Sequence, residues 1–245
     1  MRNRNRFLRV TFRRSRLIAA ALSVVLPLSL SLGACGSSAT SSTSPTSSAS
    51  AINVVPVTGT VAGHGYGYWL QHEWQMVFSS PAPWNTCDTL TSNGQRVGSI
   101  TFPTTPGTYH TTCSEPAGRP LYVWEPSAEC STFTGDHLTF GTADQQLRLC
   151  APKEFKGTPM SATLDGKPVN LSKLVAATGA FPVQAATGSA FGFPAGSGRS
   201  AAYGAGLLLT RLAKGTHVIH SVFGCSPLGC SSTQDWDITL TVHVH

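Results

Sequence analysis

From Asp235 to His245 the chain alternates strictly. Trp236, Ile238, Leu240, Val242 and Val244 are apolar, and Asp237, Thr239, Thr241, His243 and His245 between them are polar. A period of two over this span predicts a strand with one buried and one wet face. Thr216 to Phe223 predicts a second strand, after a Lys214-Gly215 turn. Met160 to Leu171 predicts a hairpin with Asp165-Gly166 as its two-residue turn. Gly98 to Phe102 and Leu121 to Trp124 predict further short strands, the latter running into a turn that holds Glu125 and Glu129.

The period changes in two places. Tyr68 to Phe78 carries Trp69, His72, Glu73 and Met76 at helical spacing. Thr142 to Cys150 opens with a capping-box pattern of Thr142 and Gln145 and is expected to stop before Pro152. The 24 glycines and 16 prolines favour many short strands joined by turns over long helices. The sum is a mainly β protein, an antiparallel β-sandwich or jelly roll in a single domain with one or two short helices.

The first 34 residues do not belong to that pattern. An arginine-rich stretch ends at Arg16, and Leu17 to Leu32 is apolar but interrupted by Pro27, short for a stable span. Leu32-Gly33-Ala34-Cys35 follows and resembles a bacterial lipobox, in which the cysteine thiol receives diacylglycerol. An ordinary secretory signal with a chance cysteine is the competing reading. Two features count against it: Cys35 is the odd one among seven cysteines, and a low-complexity segment begins right after it. Residues 36 to 51 hold eleven Ser or Thr in sixteen positions and no charge, which predicts a flexible spacer spanning about 20–25 Å. Arg13-Arg14 suggests twin-arginine export, but Arg16 breaks the hydrophobic pair expected after it, so the general secretory route is the expectation. The organisation expected is a signal peptide over 1–34, a lipidated Cys35 and linker over 35–52, and a folded domain over 53–245. Several acyl (palmitate-type) chains on one residue suffice for stable anchoring. The expected location is therefore the extracytoplasmic face of the cell membrane, with the membrane itself as a partner.

Charge agrees with that division. The formal net charge is +6, but seven of the seventeen basic residues lie in the first sixteen positions and every acidic residue lies after position 70. From Cys35 onward the balance is −1. A nucleic-acid partner is not expected of a domain without a basic face.

Six cysteines remain: Cys87, Cys113, Cys130, Cys150, Cys225 and Cys230. An even number in an exported domain predicts three disulfides, with fifteen possible pairings. Sequential pairing, Cys87–Cys113, Cys130–Cys150 and Cys225–Cys230, is favoured because each closes a local loop rich in turn residues. The thiols are scattered and no C-x-x-C occurs, so a metal cluster is not expected.

Several segments together resemble a family of exported bacterial proteins of uncharacterised function. The resemblance is carried by Tyr66-Gly-Tyr68-Trp-Leu-Gln-His-Glu-Trp-Gln-Met76 as a tryptophan-rich helix and by Cys113-Ser-Glu-Pro-Ala-Gly-Arg-Pro-Leu-Tyr as a strand. Ser127-Ala-Glu-Cys as a turn, Leu147-Arg-Leu-Cys150 as a helix, Ala162 to Gly166 and Gly215 to His220 continue it in order. It covers most of residues 66 to 245 and implies the fold and the Cys130–Cys150 pair. It implies no catalytic residues.

Candidate chemistry is sparse. Glu125 and Glu129 beside Tyr122 and Trp124 could supply the acid and the base or nucleophile of a sugar-cleaving site, or could be ordinary turn formers. Trp69, Trp74 and Trp84 could form an exposed platform for a ligand, but tryptophans at helical spacing more often fill a helix–sheet seam. His243 and His245 share a strand face and could chelate a metal, although Thr and Asp neighbours suit plain solvent exposure. His217 and His220, three apart on a strand, point to opposite faces. No G-x-S-x-G, H-E-x-x-H, P-loop or strand–helix G-x-G-x-x-G is present, and no cofactor or metal is expected. The leading expectation is a membrane-anchored envelope lipoprotein whose domain binds or presents an unknown envelope or extracellular ligand without catalysis. The alternatives are a polysaccharide hydrolase using the carboxylate pair and a purely structural envelope component.

Overall fold

A computed structural model describes residues 53–81, 86–101, 105–133, 141–189, 193–210, 212–224 and 235–245. The described residues, from Asn53 to His245, belong to one compact unit. Cys35, the linker up to residue 52, Trp84, Cys225 and Cys230 lie outside the described residues.

The domain is a two-sheet β-sandwich. The first sheet has the order β1 (Asn53–Val54), β10 (Gly196–Thr210), β5 (Leu121–Ser131), β3 (Gln95–Thr101), β2 (Thr86–Ser92). Two short strands, β8 (Val175–Ala177) and β9 (Phe181–Ala185), also pair with β10. The second sheet has the order β4 (Gly107–Glu115), β12 (Trp236–Val244), β11 (Gly215–Phe223), β6 (Met160–Leu164), β7 (Lys167–Val169). Two helices pack on the first sheet, α1 (Tyr66–Ser79) and α2 (Asp144–Phe155).

Alternation places the sandwich core. Leu121 and Val123 of β5 and Leu207 and Leu209 of β10 meet Ile219 of β11 and Ile238, Leu240 and Val242 of β12. The predicted Asp165-Gly166 turn is present, with φ of 50° and 74°, the left-handed pair a two-residue hairpin turn requires. The sheets are mixed rather than wholly antiparallel, because β4 runs parallel to β12 and β3 parallel to β5.

Two departures from the sequence expectations, and one strand that had no expectation, have clear causes. The expected turn after Trp124 is absent: β5 continues to Ser131, and Pro126 is accommodated in a bulge. Gly204 pairs with Ser127 while Gly206 pairs with Trp124, so Glu125 and Pro126 together oppose Ala205. A bulge residue needs no ladder N–H, which suits proline. Helix α2 starts at Asp144, where Gln146 Oε1 accepts from the Ala143 N–H at 3.0 Å, and it runs past Pro152 to Phe155. Phe155 is buried against the edge of Tyr203, ring centroids 5.5 Å apart, which holds that last turn on the sheet. Finally, β10 has no readable alternation because helices and the second sheet cover both of its faces along Ala201–Leu209.

Two disulfides staple these layers. Cys87–Cys113 joins β2, an edge of the first sheet, to β4, an edge of the second. Cys130–Cys150 ties β5 to α2. Both pairs are those expected from local loop closure. No helix among the described residues is long and apolar enough to cross a membrane.

Candidate functional site

Helix α1 buries Tyr66, Trp69, Leu70, Glu73, Trp74, Val77 and Phe78 in one stripe against the first sheet. Trp69 and Trp74 are 0% and 4% exposed, so neither offers a ring to a ligand from the surface. The Trp69 indole N–H donates to the His64 carbonyl at 3.2 Å. The Trp74 indole donates to Ser127 Oγ at 3.1 Å, and that oxygen also accepts from Trp124 at 2.7 Å. The two indoles meet edge-on with centroids 5.4 Å apart. An aromatic platform is thus corrected to a helix–sheet seam, whose polar ends are satisfied by one serine.

The carboxylate pair is corrected as well. Glu125 is 1% exposed and lies between the sheets, where Ser221 Oγ of β11 donates to its Oε1 at 2.7 Å. Glu129 is buried on the other face of the first sheet, accepting from Ser200 Oγ at 2.6 Å. Its ladder partner Ala202 packs in the cluster of Trp74, Phe78 and Phe133 beneath α1. The bulge at Glu125–Pro126 offsets the alternation, and a sheet separates the two acids. They cannot flank one glycosidic bond.

Burial pushes the Glu125 carboxyl up to about 8, against the opposing pull of the Ser221 hydroxyl. Glu73, on α1, is pushed up to about 8 in the same way, with Ser99 Oγ donating to its Oε1 and Asp88 adding a smaller upward push. The Oε2 atom of each acid is buried without a hydrogen-bond partner among the described residues. Both acids are therefore uncharged at neutral pH.

The histidines divide by strand. His243 Nδ1 lies 3.1 Å from Thr216 Oγ1 on β11, whereas His245 Nδ1 lies 3.2 Å from Ser114 Oγ on β4. Each ring is turned to a different neighbouring strand, and no group of three metal-ligating side chains exists among the described residues. His217 pairs with Asp165 at 2.9 Å and His220 with Asp237 at 2.8 Å. Burial lowers the His217 pKa, but Asp165 and the Ala213 carbonyl outweigh it and the net direction is upward.

Among the described residues a groove lies elsewhere. At about 490 Å³, it opens between α1, β9 and the start of β10. His72, Gln75 and Met76 line it from the helix, Pro182 and Gln184 from β9, and Ser197 from β10. Among the described residues, no Asp, Glu, Lys or Arg side chain lines it. His72 is held below the usual imidazole range by burial, with His64 adding to the effect, so it too is neutral near pH 7. Its ring meets the edge of Tyr68 at 4.4 Å, and His64 stacks on Tyr68 at 3.6 Å, which fixes the orientation of His72. This groove has no signature in the chain, because isolated glutamines and serines at outward positions look like ordinary wet surface.

The groove sits at a definite end of the domain. The first turn of α1 is fixed beside β1, where Tyr66 Oη donates to the Val55 carbonyl at 2.6 Å. The last turn is fixed beside β9, where Ala186 N–H donates to the Phe78 carbonyl at 2.8 Å. Helix α1 has 14 residues, so these ends are about 20 Å apart along its axis. The chain enters the sheet at Asn53, and the groove lies toward the opposite end of α1.

By fold the protein is a disulfide-stapled, two-sheet β-sandwich, and the groove described between α1 and β9 is uncharged rather than a carboxylate cleft. No family model and no curated protein matches the chain. Among solved structures, amebosin aligns over 58% of this chain and 100% of its own at 15% identity and a TM-score of 0.21. PbICP-C, solved in complex with falcipain-2, aligns over 61% of this chain and 98% of its own at 9% identity and a TM-score of 0.24. The cysteine protease inhibitor EhICP2 from Entamoeba histolytica aligns over 58% and 100% at 9% identity and a TM-score of 0.18. Superposition at this level defines no shared fold.

Proposed function

We propose that the protein is a lipid-anchored lipoprotein of the bacterial envelope whose sandwich domain binds an envelope or extracellular ligand without catalysis. The observation that carries the binding role is the uncharged groove between α1 and β9. Its volume falls among small-ligand sites, which run about 300–1,000 Å³. A tether attached ahead of Asn53 leaves that groove on the far side of the domain from the attachment point, free to meet a ligand. The hydrolase alternative loses its catalytic pair, since Glu125 and Glu129 are buried on opposite faces of one sheet. The structural-component alternative has no feature that favours it over the groove.

Two experiments test the parts separately. In cells, Cys35→Ala is expected to move the protein out of the membrane fraction; unchanged retention would remove the lipid anchor from the proposal. Labelled domain of residues 47–245 is expected to co-sediment saturably with purified envelopes, and Gln184→Ala is expected to weaken that binding at least tenfold. Binding that is equal for both proteins would remove the groove.

A further inference from the structure

We infer that the ligand of the α1–β9 groove is a neutral oligosaccharide of two or three sugar rings; this rests on the groove being the binding site proposed above. Gln75 Nε2 donates to the Pro182 carbonyl at 3.0 Å, which fixes the amide and leaves Oε1 as an acceptor. Gln184 Oε1 accepts from Ser197 Oγ at 2.7 Å, which fixes the second amide and leaves its NH₂ as a donor. Internal contacts thus hold both amides in place, and each keeps capacity for a ligand.

The free capacity consists of an oriented acceptor on the helix side, oriented donors on the strand side and the ring nitrogens of a neutral His72. Neighbouring hydroxyls of a sugar each donate and accept, so they can use both amides at once. Met76, Leu90 and Pro182 supply apolar surface among these groups, which suits the C–H face of a pyranose ring. A charged ligand has no opposite charge to meet there and would be desolvated without return. An extended peptide would need an open strand edge. β10 pairs one edge of β9, and along the other Gln75 takes the Pro182 carbonyl and the Phe78 carbonyl takes the Ala186 N–H, which interrupts the ladder a peptide would need.

Saturation-transfer NMR on the full-length lipidated protein in detergent micelles tests the inference. The probes are maltotriose, cellotriose and triacetylchitotriose, with a sialylated trisaccharide as the charged control and an uncharged Gly-Ala-Ser hexapeptide as the peptide control. At least one neutral trisaccharide is expected to bind saturably. Its Kd is expected to rise at least tenfold in Gln184→Ala and in Gln75→Leu, and to stay within twofold in Gln145→Ala, an exposed position on α2. Thermal melting of each variant, expected within about 2 °C of the parent, separates a lost contact from a lost fold. Peptide binding that Gln184→Ala abolishes, with no sugar bound, overturns the sugar class and leaves the groove standing. Sugar binding that neither groove variant alters, or no binding of any probe, overturns both.

Discussion

Glu125 and Glu129 stand four residues apart on β5 and point to opposite faces of the same sheet. The bulge between them produces this arrangement, and it changes what Glu125 can be. Enclosed between two sheets with one serine as its partner, Glu125 is a neutral acid of the core.

That state makes stability depend on pH in a definite direction. The folded-state pKa of Glu125 is raised to about 8, above its ordinary value of 4.5, so its contribution is complete below about pH 4.5. It is lost as pH rises toward 8, because the unfolded chain releases the proton earlier than the folded one. Within that window the loss approaches about 1.4 kcal/mol per pH unit. Glu125→Gln keeps the shape and removes the titration. The parent protein is therefore expected to lose stability relative to Glu125→Gln between pH 5 and 9 in urea denaturation. Parallel pH profiles would show that Glu125 is ionised in the fold.

The two described disulfides differ in access. Cys87 is exposed at a sheet edge, whereas Cys130 and Cys150 are both fully buried beneath α2. Mild reductant is expected to open Cys87–Cys113 first, read by differential alkylation and mass spectrometry. Replacing Cys130 and Cys150 by alanine removes a link across 20 residues and is expected to cost about 2–4 kcal/mol.

Elements with one wet face could be read from the chain. The alternation of Trp236 to Val244 and the Asp165-Gly166 turn sit where pattern and turn chemistry put them. Helix α1 extends the predicted Tyr68–Phe78 segment by two residues at its start and one at its end. Elements covered on both sides were not legible: Ala201–Leu209 of β10 is a continuous apolar run, and periodicity carries no face information there. Pro126 reads as a strand end by its own rules, and only pairing with Gly204 and Gly206 turns it into a bulge. The groove was hidden for a different reason, since Gln75, Gln184 and Ser197 acquire a joint meaning only when folding brings 75 beside 184.

Ser127 is the shared acceptor of Trp74 and Trp124. Ser127→Ala removes that acceptor from a buried seam, at a cost of about 1–3 kcal/mol for the donors it strands. Ser127→Thr retains a hydroxyl and is expected to recover part of the loss. Equal stability of all three proteins in chemical denaturation would mean that the indoles find other acceptors.

The close approach of β10 to β5 at the bulge sets the most severe expectation. A Cβ placed on Gly204 would lie 2.2 Å from the Ser127 Cβ and 2.8 Å from the Pro126 carbonyl oxygen. Those neighbours belong to a paired strand, so rotation of a flexible side chain cannot relieve the clash. Gly204→Ala must either open the bulge or push β10 away from β5, and overpacking of this kind costs about 3 kcal/mol or more. Gly166 isolates the other reason a glycine is needed, because its φ is +74° and nothing lies within 4 Å of an added Cβ. Gly166→Ala meets only backbone strain, about 1–2 kcal/mol. Gly204→Ala is therefore expected to shift the urea midpoint at least twice as far as Gly166→Ala. The reverse order would place the strain in the hairpin turn and deny that Gly204 holds the bulge that sends Glu125 and Glu129 to opposite faces.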